Sequence, residues 1–296
     1  MIDLTKLVTE TRNPNTMDLD QMTPLELVSV MNQEDLNVVA GVKEVLPQVA
    51  QAVEWAVSSL EAGGRIVYFG AGTSGRLGVL DAVECPPTFG VSPDVVVGLI
   101  AGGEKAFVRA VEGAEDSLEL CEEEFKKIGL NKNDIAIGIA ASGRTPYVIG
   151  GLRYARSLGC KTVAIACNKG SEVGKEAELA IEHSCGPEVL TGSTRLKSGT
   201  AQKMILNMIS TGSMVGVGKA YQNLMVDVQQ TNKKLVVRAQ NITMAATGCT
   251  REEAAQDLEQ ADGNAKLAIV MLLTQMPVEE AKAKLEAAHG HVRGAL

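Results

Sequence analysis

Apolar residues follow one another without alternation in several short stretches of the chain. Four such runs cover 65–70, 94–100, 134–140 and 161–167, and a weaker one covers 179–184. Strands that are buried on both faces have uninterrupted apolar runs of this kind. Segments with helical spacing separate the runs, and strand–helix alternation is typical of a parallel sheet with helices on both faces. The pattern therefore predicts an α/β fold, built as a parallel-sheet αβα sandwich.

Helical spacing dominates the rest of the chain. The stretch Thr23–Leu60 is rich in Leu, Val and Ala, and Thr23 is a candidate N-cap before Pro24. Two long helices are predicted further on, over Ser198–Val217 and Lys219–Thr247. Breaks near the C-terminus separate three short helical patterns, which predict a small three-helix domain over Arg251–Gln260, Asn264–Leu273 and Pro277–Ala288.

Two glycine-rich turns follow the first and third predicted strands and share the tripeptide Ser-Gly-Arg. The first reads GTSGR over 72–76, and the second reads ASGRT over 141–145. Ligands of open α/β sheets bind at the carboxyl ends of the strands, near the point where strand order reverses. The helix that begins after each turn offers backbone N–H groups and a dipole to an anion. Two such turns side by side would surround one phosphate, whereas the alternative is that the glycines serve only tight turns.

The first turn also matches the dinucleotide pattern G-x-G-x-x-G at Gly70, Gly72 and Gly75. That pattern requires an acidic residue at the end of the second strand, about 20 residues further on. Here the second predicted strand ends in LIAGG, so the dinucleotide interpretation is disfavoured.

A single glutamate, Glu84, follows the predicted first helix and immediately precedes Cys85, Pro86 and Pro87. Backbone N–H groups stabilise the charged form of a carboxylate, and the two prolines remove two such donors. The apolar stretch beside Glu84 is expected to desolvate it further. The sequence thus predicts a carboxyl group that can act as a general acid. The alternative is a surface glutamate at a helix end.

Further acidic residues follow the second predicted strand in AVEGAEDS, namely Glu112, Glu115 and Asp116. The predicted topology places all three on the same side of the sheet as the two Ser-Gly-Arg turns, where each has a claim to a role. First-turn acids are also common partners of a helix dipole. A third loop, over 186–203, contains Glu188 with hydroxyl and basic side chains just before a long helix. It is either a ligand loop or a helix-capping segment.

Composition narrows the function classes. A net charge of −8 and an aromatic content of 3% match neither a phosphate backbone nor a stacking platform, so we expect no nucleic-acid partner. No apolar run approaches the roughly 18 residues of a membrane span, and the N-terminus has no apolar signal region. We therefore predict a cytoplasmic chain without a membrane partner. The six cysteines contain no C-x-x-C pair and the three histidines are scattered, so no metal site is expected.

Four motifs carry a resemblance to a known family. The chain closely resembles the N-acetylmuramic acid 6-phosphate etherases in GAGTSGRLGVLDAVECPPTFGV, LIAGGEKAFVRAVEGAEDS, IAASGRTPYVIGGLRYARSLGC and GPEVLTGSTRLKSGTAQKMILNM. The resemblance extends to Thr9–Thr16 near the N-terminus and to NLMVDVQQTNKKL over 223–235. It implies a sugar isomerase (SIS) fold that binds sugar phosphates, a C-terminal three-helix domain similar to ubiquitin-associated (UBA) domains, and a homodimer. The implied domains are an N-terminal helical segment over 1–50, the SIS domain with its following helices over 51–238, and the C-terminal domain over 239–296.

The activity that the resemblance implies is cleavage of the D-lactyl ether of N-acetylmuramic acid 6-phosphate, by elimination of lactate and addition of water. The implied reaction needs no metal or other cofactor. The motifs ECPP and EGAED are intact, so the resemblance assigns catalysis to Glu84 and Glu115, with Glu84 as the acid that protonates lactate and Glu115 as the base at C2. Glu188 resembles a residue that contacts the sugar in the related glucokinase regulatory proteins. Phosphate binding is expected at residues of the two Ser-Gly-Arg turns, namely Thr73, Ser74, Gly75, Ser142, Gly143, Arg144 and Thr145.

Two other functions share this fold and these loops. A non-catalytic regulator would bind a sugar phosphate but would have no need of a proton donor at Glu84. An aldose–ketose phosphate isomerase would abstract the C2 proton but would release no lactate.

Overall fold

The computed structural model describes residues 7–109, 111–228 and 233–296, and in it every predicted apolar run contains a strand. The five strands pair in parallel in the order β2-β1-β3-β4-β5. They are β1 (Ile66–Gly70), β2 (Val96–Ile100), β3 (Ile135–Ala140), β4 (Lys161–Ala166) and β5 (Leu179–Glu182). All residues of β1 and β3 are buried, as expected of strands covered on both faces. The predicted α/β class with a parallel sheet is confirmed.

Helices connect and cover these strands. They are α1 (Pro24–Lys43), α2 (Leu46–Glu61), α3 (Gly72–Phe89), α4 (Glu104–Val108), α5 (Leu120–Lys127), α6 (Pro146–Ser157), α7 (Glu172–Glu176) and α8 (Lys197–Gly216). Thr23 is the N-cap of α1, since its hydroxyl accepts the N–H of Glu26 and the Glu26 carboxylate accepts the N–H of Thr23. Among the described residues, no helix is both long and apolar enough to cross a membrane.

Strand order reverses between β1 and β3. The chain leaves β1 for β2 on one side, and β3 then pairs with the other side of β1. Gly70 at the end of β1 is in register with Ile139 near the end of β3. The turns that follow these two strands therefore begin side by side, at the point where open α/β sheets bind their ligands.

The prediction that Glu84 follows the first helix is wrong, because α3 continues through Pro86 and Pro87 to Phe89. Each proline removes the hydrogen bond to the carbonyl four residues before it and crowds that carbonyl, but here both costs fall in the last turn of the helix. Two other bonds close this end. The Thr88 hydroxyl donates to the Glu84 carbonyl at 2.7 Å, and the Gly90 N–H donates to the Pro86 carbonyl at 2.9 Å.

Contacts between Cα atoms divide the chain into two compact units. The first contains 1–83 and 94–210, and the second contains 84–93 and 211–296. The boundaries of these units differ from those of the predicted domains, 1–50, 51–238 and 239–296. The predicted domains stay a prediction.

Among its described residues, the second unit contains the ends of α3 and α8, a short hairpin and five complete helices. The strands β6 (Ala220–Tyr221) and β7 (Leu224–Met225) are antiparallel. The helices are α9 (Lys233–Thr247), α10 (Arg251–Gln260), α11 (Ala265–Thr274), α12 (Val278–Ala287) and α13 (Val292–Ala295). The last four bear out the three helical patterns of the C-terminus and add one short turn. Buried residues of α11 form the centre of this unit, since Ala268, Ile269 and Val270 are fully buried.

The predicted single helix over Lys219–Thr247 is wrong. Gly218 and Gln222 have positive φ angles of 77° and 54°, which are incompatible with a right-handed helix. The hairpin of β6 and β7 therefore replaces the first part of the predicted helix. Within the motif 223–235, residues 229–232 lie outside the described residues, as do residues 1–6 at the N-terminus.

Candidate active site

The first Ser-Gly-Arg turn becomes the first turn of α3. A Cβ atom built on Gly75 would lie 2.5 Å from the carbonyl oxygen of Gly70, so only glycine allows this close approach of helix to strand. Thr73 is half-buried and Ser74 is buried. The first N–H groups of a helix have no intrahelical acceptor and point toward whatever lies before the helix. An anion at this end of α3 would therefore meet N–H groups and a threonine hydroxyl.

The second turn links β3 to α6. Gly143 has a φ angle of 75°, and a Cβ atom there would collide with Ser171. The Ser142 hydroxyl accepts the N–H of Arg144 at 3.3 Å. The side-chain amide of Asn168, which follows β4, donates to the carbonyls of Ala141 and Ser142 at 3.2 and 3.4 Å. These two bonds fix the backbone at the start of the turn. Ser142, Arg144 and Thr145 remain half-buried, and the Arg144 guanidinium lies 3.7 Å from the Glu172 carboxylate.

Glu115 lies beside both turns. It lines a cleft of about 210 Å³ together with Gly72 and Arg76 of the first turn and the rival acid Glu112. Its backbone carbonyl accepts the N–H of Tyr147, at the start of α6, at 3.0 Å. The side chain of Glu115 is exposed, as is that of Asp116. The structure thus places Glu115 beside the first candidate phosphate-binding turn and bonds its backbone to the helix that follows the second.

Arg76 has a structural role that the sequence analysis did not assign. Its guanidinium donates to the backbone carbonyls of Ala106 and Phe107 at 2.7 and 2.8 Å. These bonds hold α4 against the start of α3 on one side of the cleft. Because the second turn carries an arginine at the equivalent place of its motif, the repeated tripeptide was a signal that could have singled out Arg76.

Glu84 lies in the last two turns of α3 and is described with the second unit. Its side chain is exposed in the single chain, so the apolar surroundings expected from the sequence are not supplied by its own chain. Its neighbour Cys85 is buried.

Glu188 caps the N-terminus of α8. Its carboxylate oxygens accept the N–H groups of Lys197 and Ser198 at 3.0 and 2.9 Å, and the residue is fully buried. A negative charge at this position complements the helix dipole. Of the two interpretations of the third loop, the structure agrees with the helix-capping segment. A contact of Glu188 with the sugar stays a prediction.

A second set of polar residues pairs α3 with α8, and the sequence analysis missed it. The Ser74 hydroxyl donates to the Gln202 side chain at 2.9 Å. Further along α8, Asn207 and Ser210 donate to the buried carboxylate of Asp81 at 2.6 and 3.1 Å. Burial raises the pKa of Asp81, and these two hydrogen bonds oppose the shift. The pairing fixes the helix that carries the first turn.

Lys197 forms a buried ion pair that fastens the N-terminal segment to the third loop. Its ammonium lies 2.6 Å from the Glu34 carboxylate, and the two side chains are 1% and 7% exposed. Asn13 and Asn15 also donate to Glu34, each at 2.8 Å, and Asn13 reaches the carbonyl of Pro187 at 3.1 Å. Burial alone would raise the pKa of Glu34, but the hydrogen bonds from Lys197, Asn15 and Asn13 outweigh it and keep the pKa below its usual value.

We expect Lys197→Met to destabilise the first unit by about 3–5 kcal/mol, because it leaves the buried Glu34 carboxylate without a counter-charge. Urea unfolding followed by circular dichroism measures the loss. The matched control is Lys169→Met, which breaks an exposed ion pair with Glu44 and should cost less than about 1 kcal/mol. Equal losses in the two variants would contradict the prediction.

The pH dependence of stability has a definite sign at this site. The folded-state pKa of Glu34 lies below the unfolded value of 4.5, so its contribution is complete above that value and is lost as the pH falls through the folded value. The difference in the free energy of unfolding between the wild type and Lys197→Met should therefore shrink as the pH falls from 4.5 through the folded-state pKa of Glu34.

Two family models match the part of the chain that contains the parallel sheet. Residues 124–211 match the model of the SIS domain, and residues 48–156 match that of the glucokinase regulatory protein N-terminal SIS domain. Among solved structures, a phosphoheptose isomerase from Francisella tularensis matches with a TM-score of 0.49 and 19% identity, over 65% of this chain and 98% of that chain. A phosphoheptose isomerase from Neisseria gonorrhoeae matches with a TM-score of 0.48 and 16% identity, over 63% of this chain and 99% of that chain. The two matched models show that the chain contains an SIS domain.

Curated relatives then define the family. A protein of Cronobacter sakazakii named N-acetylmuramic acid 6-phosphate etherase is 60% identical over 295 residues, which cover 100% of this chain and 99% of the relative. One of the same name from Bacillus cereus is 58% identical over 293 residues, which cover 99% and 100%. The chain belongs to the N-acetylmuramic acid 6-phosphate etherase family.

Proposed function

We propose that this chain is a carbon–oxygen lyase that cleaves the D-lactyl ether of N-acetylmuramic acid 6-phosphate. The products are N-acetylglucosamine 6-phosphate and D-lactate, which places the enzyme in the recycling of cell-wall amino sugars. Full-length identity of 58–60% to proteins of that name supports the reaction. The observation that carries it in the structure is the position of Glu115, in a cleft lined by the first candidate phosphate-binding turn and bonded to the helix that follows the second.

The chemistry requires little besides two carboxyl groups. The oxygen of a simple alkyl ether is a poor leaving group, but it can be eliminated when the neighbouring carbon carries an acidic C–H bond. Opening of the sugar ring exposes an aldehyde at C1, which acidifies the proton at C2. A base removes that proton, lactate leaves from C3 as its oxygen gains a proton, and water adds to C3 of the unsaturated aldehyde while C2 regains a proton. Positioned acids and bases contribute about 10²–10⁴-fold each to such steps.

We assign Glu115 as the base at C2, and Glu84 as the acid that protonates the departing lactate and then deprotonates the incoming water. Exposure of the Glu115 side chain in its cleft keeps it accessible to a bound sugar. For Glu84 the support is the intact ECPP motif. No cofactor takes part in the proposed reaction.

The 6-phosphate is proposed to lie between the two turns. Thr73, Ser74 and Gly75 would meet it at the N-terminus of α3, where the helix dipole favours an anion. The second turn would add the four residues Ser142, Gly143, Arg144 and Thr145. Ser74 donates its proton to Gln202 in the structure, so its hydroxyl must turn before it can donate to phosphate. Arg144 supplies the positive charge of this turn.

The experiment that tests this function supplies purified protein with N-acetylmuramic acid 6-phosphate in H₂¹⁸O. We expect D-lactate without new label and a sugar phosphate with ¹⁸O on C3. The aldehyde oxygen at C1 also exchanges with water, so fragment masses must locate the label at C3. Label in the lactate would instead show displacement at the lactyl carbon and would contradict the roles of both glutamates.

Two other outcomes would replace the proposed function. A bound sugar phosphate without lactate release would indicate a non-catalytic regulator. Interconversion of an aldose phosphate and a ketose phosphate without lactate would indicate an isomerase.

We also propose that the chain acts as a homodimer in the cytoplasm. Exposed apolar side chains recur along one side of α1, at Leu25, Val28, Leu36 and Val39, and are 56–74% exposed. A row of this kind is typical of a helix that packs against a partner. The described residues contain no disulfide, and five of the six cysteines are buried thiols, which suits a reducing compartment.

A further inference from the structure

The end of α3 packs within the second unit, together with the C-terminal helices. Residues 84–93 belong to this unit, and Gly90 ends the helix with a φ angle of 64°. A Cβ atom built on Gly90 would collide with the backbone carbonyl of Asp227. The chain that follows Glu84 therefore rests directly on the backbone of Asp227.

Two lysines hold the carboxylate of Asp227. The Lys266 ammonium lies 2.6 Å from Oδ2, and the Lys219 ammonium lies 3.3 Å from the same oxygen. Lys266 projects from α11, the buried central helix of the unit, and its side chain is only 8% exposed. Burial lowers the pKa of Lys266, and Asp227 opposes that shift. A lysine is rarely buried to this extent unless its ammonium is paired, and removing one partner of such a pair disturbs the structure around it.

We propose that Lys266 is a positioning residue for Glu84. Its bond to Asp227 fixes the backbone on which Gly90 packs, and thereby the helix end that carries the glutamate. The inference rests on the proposed function, in which Glu84 delivers a proton to lactate. It also connects the C-terminal helices to the reaction, since Lys266 projects from α11.

A small displacement of the acid is enough to matter. A misplacement of about 1 Å can cost roughly 10²-fold in rate, because proton transfer needs a defined approach. Loss of the Lys266 bond should thus reduce kcat while leaving the phosphate-binding turns, and so KM, nearly unchanged. A purely structural role would instead lower the amount of folded enzyme without separating kcat from KM.

The experiment compares Lys266→Met, Lys266→Arg and the wild type in the full chain. We expect kcat for lactate release to fall roughly 10- to 100-fold in Lys266→Met with KM within about threefold. Lys266→Arg keeps the charge and should recover part of that loss. The matched control is Lys284→Met, an exposed lysine of α12, which should behave as the wild type.

A second measurement reports on the anchor without using activity. Cys85 follows Glu84 and is 2% exposed, whereas Cys160 in the first unit is 1% exposed. Iodoacetamide labelling, followed by peptide mass spectrometry, should be faster at Cys85 in Lys266→Met and unchanged at Cys160. Because this readout needs no substrate, it supports or contradicts the anchor even if the wild type releases no lactate, a result that would overturn the proposed function alone.

The outcomes that overturn the proposal are equally definite. Wild-type kcat and wild-type Cys85 labelling in Lys266→Met would do so, and so would a loss that Lys284→Met shares. If Lys266→Met fails to fold, as judged by circular dichroism, Gly90→Ala decides, because it keeps the ion pair and disturbs the same contact from the other side. Reduced kcat with unchanged KM in Gly90→Ala would support the anchor, and wild-type kinetics would overturn it.

Discussion

Glu84→Gln is expected to release D-lactate about 10²–10⁴-fold more slowly than the wild type, because an amide cannot protonate the departing oxygen. The substitution keeps the size of the side chain. Since Glu84 is exposed in the single chain, stability should change by no more than about 0.5 kcal/mol. The measurements are kcat with N-acetylmuramic acid 6-phosphate and the free energy of unfolding in urea. Glu61→Gln, at the exposed end of α2, is the control for loss of one surface charge.

A change of leaving group separates the acid role from any other role of Glu84. Fluoride leaves carbon without needing a proton, so a substrate analogue with fluorine at C3 bypasses a general acid. Glu84→Gln should eliminate fluoride at a rate near that of the wild type while its lactate release stays low. Near-normal lactate release, or an equal loss with both leaving groups, would contradict the assignment of Glu84 as acid.

The sheet was predictable from the sequence because each strand is an apolar run buried on both faces. Val67 and Ile137, for example, lie in such runs and are fully buried. The rule that ligands bind where strand order reverses also brought the two Ser-Gly-Arg turns together, since β1 and β3 are neighbours. Local pattern and one topological rule were sufficient for this part of the site.

The ends of helices and the position of the hairpin were not predictable in the same way, because they depend on the hydrogen bonds or the backbone angle of one or two residues. Pro86 and Pro87 normally end a helix, but the Thr88 hydroxyl and the Gly90 N–H close α3 beyond them. Gln222 adopts a positive φ angle without being a glycine, and so the hairpin in the predicted long helix was missed.

Contacts between distant segments also escaped the sequence analysis. The bond from Ser74 to Gln202 and those from Asn207 and Ser210 to Asp81 join residues more than 120 positions apart. Nothing in the local pattern marks such partners, because they depend on how α3 and α8 pack. Glu188 was recognised as important from its motif, while its role as a helix cap required the positions of two backbone N–H groups.

Glu115→Gln is expected to remove both exchange at C2 and lactate release, each by about 10²–10⁴-fold, because the base acts before lactate leaves. Incubation in D₂O followed by mass spectrometry of the remaining substrate measures exchange at C2. Glu84→Gln should retain this exchange if proton removal is reversible, since it impairs only the later step. The two variants therefore divide the reaction into proton abstraction and departure of lactate.

The same measurement decides between Glu115 and its rivals. Glu112 lines the same cleft three residues earlier, and Asp116 follows directly, so Glu112→Gln and Asp116→Asn are matched controls that should keep C2 exchange near the wild-type rate. Loss of exchange in one of these controls, with exchange retained in Glu115→Gln, would transfer the role of base to that residue. The proposed elimination would survive such a result, because it requires a carboxylate near the first candidate phosphate-binding turn and does not depend on which of these three acids provides it.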